Sequence, residues 1–203
     1  MRAGLFGIGL DTYWNQFEGL LDNLKSYQFR IKEKIESFGC EVVDAGMVDN
    51  LQKALEAASI LKTSDVELVF LYISTYALSS TVLPVARKLG VPVILLNLQP
   101  VPQLDYNSFN NLGDRGKMTG MWLEHCQACS VPEIAGVFNR AGIRYEIVTG
   151  FLEDKTVWEE ITEWVEAAQA AKSLRYNRMG ILGHYYGGML DVYTDLTKMS
   201  AVF

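Results

Sequence analysis

An α/β fold is what this sequence predicts: a doubly wound, mostly parallel sheet in a three-layer sandwich of the Rossmann or flavodoxin type. Two observations carry that expectation. Short apolar, β-prone runs alternate with segments of helical periodicity through the first 150 residues. The runs are also continuously hydrophobic, the pattern of strands buried on both faces. Joined by short links, such units form a parallel sheet with right-handed crossovers.

The first strand spans 2–8 (RAGLFGI). A helix over 15–38 follows, because Phe17, Leu20, Leu21, Leu24, Tyr27, Ile31 and Ile35 recur close to helical spacing and Gly39 can close it. Strands over 41–44, 68–73 (LVFLYI), 91–96 (VPVILL) and 145–149 alternate with helices over 51–62, 79–88 and 132–141, the last two stopped by Gly90 and Gly142. Ser130 is placed to cap the helix at 132–141, with Glu133 three residues on to complete a capping box. The link 97–121 is long for a connection, so it is functional or contains a short helix. A helix over 154–174 closes the unit, and its acidic run reads as a solvated face.

Beyond it, 178–183 reads as a strand, 184–188 (HYYGG) as a polar aromatic loop and 189–199 as a helix, before the apolar Ala201-Val202-Phe203. The expected organisation is one domain over 1–175, with 176–203 the opening strand–loop–helix of a second, truncated one.

Composition narrows the classes. Apolar residues make up 49% and charged residues 21%, a globular balance. The net charge of −6, with no basic run, disfavours nucleic acid as a partner. No apolar run approaches the roughly 18–20 residues that span a bilayer, and the start enters a strand pattern without a leader. Three cysteines fit a reducing compartment better than a disulfide framework. A cytoplasmic protein is expected.

Few motifs carry chemistry. Gly7-Ile8-Gly9 follows the first strand, but the third glycine of a dinucleotide fingerprint is replaced by Thr12 and bulky residues follow. In His125-Cys126-Gln127-Ala128-Cys129 the CxxC is either redox-active at a helix entrance or a pair of small apolar packing groups. Zinc would need further ligands, for which only Cys40 and His184 remain. No GxSxG occurs. His125 and His184 could each serve as a lone acid, base or sugar contact, and His184-Tyr185-Tyr186 suits either stacking on a polyol or an aromatic cap on the sheet.

The stretches 71–80 (LYISTYALSS), 123–136 (LEHCQACSVPEIAG) and 149–154 (TGFLED) resemble the N-terminal part of L-arabinose isomerases. The stretch 183–195 (GHYYGGMLDVYTD) resembles the start of the second domain in the arabinose/fucose isomerase-like group. The resemblance implies a Rossmann-like first domain, a homo-oligomer sharing sites between subunits, and aldose–ketose isomerisation of a small pentose or hexose with manganese. It implies substrate-binding roles for Tyr13, Tyr76, Gln127 and Met189, beside the loop histidine His184. Ser130 stands where the family has a histidine, and Leu10-Asp11-Thr12 replaces a glutamine. The family's metal ligands match nothing here, so the expected chain binds no cofactor itself and is inactive alone. The alternatives are a stand-alone sugar-binding or interaction domain, and a redox protein using Cys126 and Cys129.

Overall fold

Five parallel strands in the order β2-β1-β3-β4-β5 make the centre of the molecule. The computed structural model describes residues 1–178, 180–183 and 185–202. The strands are β1 (Arg2–Ile8), β2 (Glu41–Val48), β3 (Leu68–Tyr72), β4 (Val93–Gln99) and β5 (Tyr145–Phe151). The expected doubly wound α/β architecture is therefore the observed one, in its flavodoxin-like strand order.

Alternate residues of the central strands face opposite layers. Phe6, Ile8, Val69, Leu71, Val93 and Leu95 pack under α3 (Leu51–Thr63), α4 (Ser79–Leu89) and α7 (Val131–Ala141). Ala3, Leu5, Phe70, Tyr72, Ile94 and Leu96 pack under α2 (Leu20–Glu36) and α8 (Lys155–Arg175). Each large apolar side chain so buried contributes about 1.5–3 kcal/mol, which is why the continuous apolar runs settle into the middle of the sheet. α8 buries Val157, Ile161 and Val165 and is capped by Asp154, whose Oδ1 accepts from the Thr156 amide at 3.0 Å. Among the described residues no helix is long and apolar enough to cross a membrane.

Several boundaries differ from the sequence expectation, each for a local reason. The helix expected over 15–38 begins only at Leu20: 15–19 form turns, Gly19 takes a φ of 79° that no right-handed helix allows, and a separate short helix, α1 (Asp11–Trp14), lies ahead of them. β2 runs four residues past Asp44 through a bulge opposite Leu5–Gly7. Gly46 takes φ 77° there, and its amide donates to Asp44 Oδ1 at 2.8 Å, so a glycine that reads as a strand end instead bends a continuing strand. The long link after β4 contains α5 (Tyr106–Asn110) and α6 (Arg115–Glu124), each opened by an aspartate cap, Asp105 and Asp114.

After α8 the described residues of 178–183 form no strand. Tyr185 and Tyr193 make an isolated antiparallel bridge, and of the helix expected over 189–199 only the last four residues are helical. α9 (Leu196–Val202) begins where Asp195 accepts from the Lys198 amide at 3.0 Å. With glycines at 187 and 188 and no apolar face to dock on, this span lacks the tertiary support a short helix needs.

Candidate functional site

A parallel sheet in this order has its switch point between β1 and β3, and ligands of such sheets sit beyond the carboxyl ends of the strands there. Much of that crevice is filled by the chain. The Ser74 hydroxyl donates to the Ile8 carbonyl at 2.5 Å, tying the two strand ends together. Trp14 lies over Gly9, with its ring 2.7 Å from where a Cβ would stand, and its Nε1 donates to the buried Asp49 carboxylate at 2.8 Å. The glycine after β1 thus makes room for an indole. Tyr13, Trp14, Phe17, Tyr27 and Tyr76 cover a small apolar cluster of Leu20, Leu24, Met47 and Leu123.

Beside this cap, the start of α2 and the length of α6 enclose an open cavity of about 500 Å³, bordered by Phe17, Glu18, Asn23, Asp114, Lys117 and Glu124. Glu124 ends α6 and faces α2, where its two oxygens accept from the Tyr27 hydroxyl and, at 3.2 Å, from Asn23 Nδ2. Both donors are neutral, and no ion pair of Glu124 is found among the described residues. Burial, and then the bond to Glu124, raise the Tyr27 pKa well above the ordinary tyrosine range. Behind it lies Tyr72, fully buried, whose hydroxyl sits beside the Gln127 side chain without a sound hydrogen bond; burial is the main reason its pKa is raised too.

The structure places the residues singled out by sequence as follows. Tyr13 stands on α1 and Tyr76 on the β3–α4 loop, both partly buried, and burial first, then electrostatic repulsion from Tyr76, raise the Tyr13 pKa. Gln127 lies in a 3₁₀ turn (Gln127–Cys129) and its Nε2 donates to the carbonyls of Ser74 at 3.0 Å and Glu124 at 2.6 Å. The three residues share the carboxyl edge, but Gln127 is 0% exposed: the expected solvent-facing ligand contact is a buried tie between backbone groups. Met189, 52% exposed, takes no part in the cluster that holds Tyr13 and Tyr76. His184 lies outside the described residues. His125, with Nδ1 2.8 Å from the Met121 carbonyl oxygen, closes the end of α6.

Sequence reasoning missed Glu124, Tyr27 and Tyr72. Tyr27 and Glu124 are 97 positions apart, so no spacing links them. The one available signal was a tyrosine on the apolar stripe of a helix, since a buried phenol needs a partner.

Cys126 and Cys129 form a disulfide, so the reading of two packing thiols is replaced by a bonded pair, and Cys40 is the free, buried cysteine. Among the described residues no group of three or more His, Cys, Asp or Glu side chains could hold a metal ion.

No family model matches this chain, and no curated protein matches it. Solved structures do. One is a protein of Bacteroides fragilis NCTC 9343 described as an acylhydrolase, 11% identical, covering 84% of this chain and 87% of its own at a TM-score of 0.37. Another is a GDSL-like lipase of Bacteroides thetaiotaomicron VPI-5482, 10% identical, covering 84% and 88% at a TM-score of 0.37.

The isomerase reading is corrected by these findings: these two structures are not arabinose or fucose isomerases, and no family model or curated protein supports that family. With it fall the aldose–ketose chemistry, the manganese and the part-enzyme description. The stretches 71–80, 123–136 and 149–154 run through strand ends, turns and helix starts of the sheet, 183–195 lies beyond it, and the glutamine among them is sealed inside. The matched structures are too distant for their activity to be carried over. Three hydroxyls at this edge are engaged with backbone: Ser74 with Ile8, Thr75 with the Leu123 carbonyl at 2.7 Å, and Ser130 with the Ala77 amide at 2.8 Å.

Proposed function

We propose that this chain is a small-molecule-binding α/β domain whose ligand is a compact polar cation, an amine, held between α2 and α6. The observation that carries this reading is the charge of the cavity wall: among its described lining residues Glu18, Asp114 and Glu124 stand against one cation, Lys117, in a volume within the range of small-ligand sites. Glu124 is the anchor. Its hydrogen bonds come from uncharged groups, which orient the carboxylate without neutralising it. The Phe17 side chain on the same wall offers an apolar and π surface suited to the hydrocarbon or ammonium end of such a ligand. A cytoplasmic location belongs to the same proposal, and it requires the Cys126–Cys129 disulfide to be an exchangeable pair, since structural disulfides are rare in that compartment.

Titration calorimetry against primary and quaternary amines, with neutral polyols and carboxylates as controls, tests the reading. An amine is expected to bind best, and Glu124→Gln to weaken it at least tenfold, about 1.4 kcal/mol. Preferential binding of a neutral or anionic compound, or unchanged amine affinity in Glu124→Gln, would overturn it.

A further inference from the structure

The Cys126–Cys129 pair sits on the same edge as the cavity, and nothing in the proposed binding role uses it. The two cysteines differ sharply in access: Cys126 is 3% exposed as a residue, whereas Cys129 is an exposed residue. Cys129 immediately precedes Ser130 and the eleven-residue α7, so it stands one residue ahead of the N-cap of a helix, the end whose partial positive charge favours a thiolate.

The backbone carrying the pair is held in place without the disulfide. Thr75 Oγ1 donates to the Leu123 carbonyl at 2.7 Å, Gln127 Nε2 donates to the carbonyls of Ser74 and Glu124, and the Ala77 amide donates to Ser130 Oγ at 2.8 Å. These bonds pin 123–130 to the β3–α4 loop on both sides of the cysteines. A bridge across three positions closes a very short loop, the case in which cross-linking constrains the unfolded chain least. The disulfide therefore adds little that the anchoring has not already supplied, while the anchoring keeps both sulfurs within reach after reduction.

We infer that Cys126–Cys129 is a thiol–disulfide exchange site for low-molecular-weight thiols, with Cys129 the exchanging sulfur and Cys126 the resolving one. A thiolate RS⁻ attacks Cys129 Sγ, the Sγ–Sγ bond breaks, and Cys126 leaves as a thiolate that takes up the proton lost by RSH. A second RS⁻ then attacks the R sulfur of the mixed disulfide and releases Cys129 as a thiolate. Two RSH become RSSR, the protein disulfide becomes a dithiol, and the reverse sequence reoxidises it.

Glutathione and mass spectrometry test this on the full chain. Reduced glutathione at millimolar concentration should reduce the pair while the circular dichroism of the folded protein is unchanged. Iodoacetamide at pH 7 should then label Cys129 at least ten times faster than Cys126 or Cys40. Cys126→Ser treated with oxidised glutathione should retain one glutathione on Cys129, and Cys129→Ser should retain none. Equal labelling rates, reduction only under unfolding conditions, or no trapped glutathione on folded Cys126→Ser would each overturn the inference. If that variant does not fold, the labelling rates of the native protein decide it.

Discussion

The Tyr72 hydroxyl is sealed in the interior with no sound hydrogen bond, and Gln127 Oε1 beside it is in the same state. A buried polar group without a partner costs roughly 1–3 kcal/mol. Tyr72→Phe keeps the ring and removes the orphaned group, so at pH 7 it should be neutral or stabilise the fold by up to about 1 kcal/mol in urea unfolding. A loss of more than that would mean the hydroxyl has a role in the fold that its surroundings do not reveal. The same residue predicts an alkaline response. The Tyr27 and Tyr72 pKa values are both raised in the folded state, so the stability they support is complete below the unfolded tyrosine pKa near 10 and declines as pH rises above it. The decline reaches at most about 1.4 kcal/mol per pH unit for the sealed Tyr72 and is smaller for the partly solvated Tyr27, and Tyr72→Phe should make it shallower between pH 10 and 11. An unchanged slope would count against burial as the cause.

Among the elements, α7 shows how a correct local pattern can be put to another use. Ser130 and Glu133 have capping-box spacing, yet no side-chain cap bond forms at the start of α7. Ser130 Oγ accepts from the Ala77 amide, and Glu133 Oε1 accepts from the Ser79 amide at 2.9 Å, so both side chains fasten the start of α4. Pro132 in the first turn of α7 already removes one amide that a cap would serve. Ser130→Ala should therefore leave α7 helical and expose the cost in the neighbouring loop: about 1–3 kcal/mol of stability and faster hydrogen exchange at Ala77. Exchange that speeds up within α7 instead would restore the capping role. The late start of α2 and the bulged β2 carry the same lesson, since nothing in the sequence marks Gly19 and Gly46 among the other glycines as the ones that take positive φ at these boundaries.

For the whole molecule, the notable imbalance lies beyond α8. Leu182 is 101% exposed and Leu190 84%, with Tyr185, Tyr193 and Val202 also exposed nearby. Apolar surface left in water favours association by about 25 cal/mol per Å² covered. Self-association is the expected outcome, read as a light-scattering mass at least twice the 22.8 kDa of one chain. A uniform 22.8 kDa species at tens of micromolar would refute it.

The sequence by itself determined the layer architecture. Continuous apolar runs such as LVFLYI and VPVILL, set between helical periods, can be buried only as central strands, and the information for that lies within each segment. Tertiary structure decided the site. Tyr27 meets Glu124 across 97 positions, Gln127 meets Ser74 across 53, and Ala77 meets Ser130 across 53. Motif likeness misassigned this edge for the same reason: it weighs neighbours along the chain, whereas the charge and burial of a carboxyl-edge residue are set by side chains arriving from other crossovers. Cys126–Cys129 is the exception, close in sequence as well as in space. Its spacing was legible; the buried and exposed environments that distinguish its two cysteines were not, because burial belongs to the assembled fold.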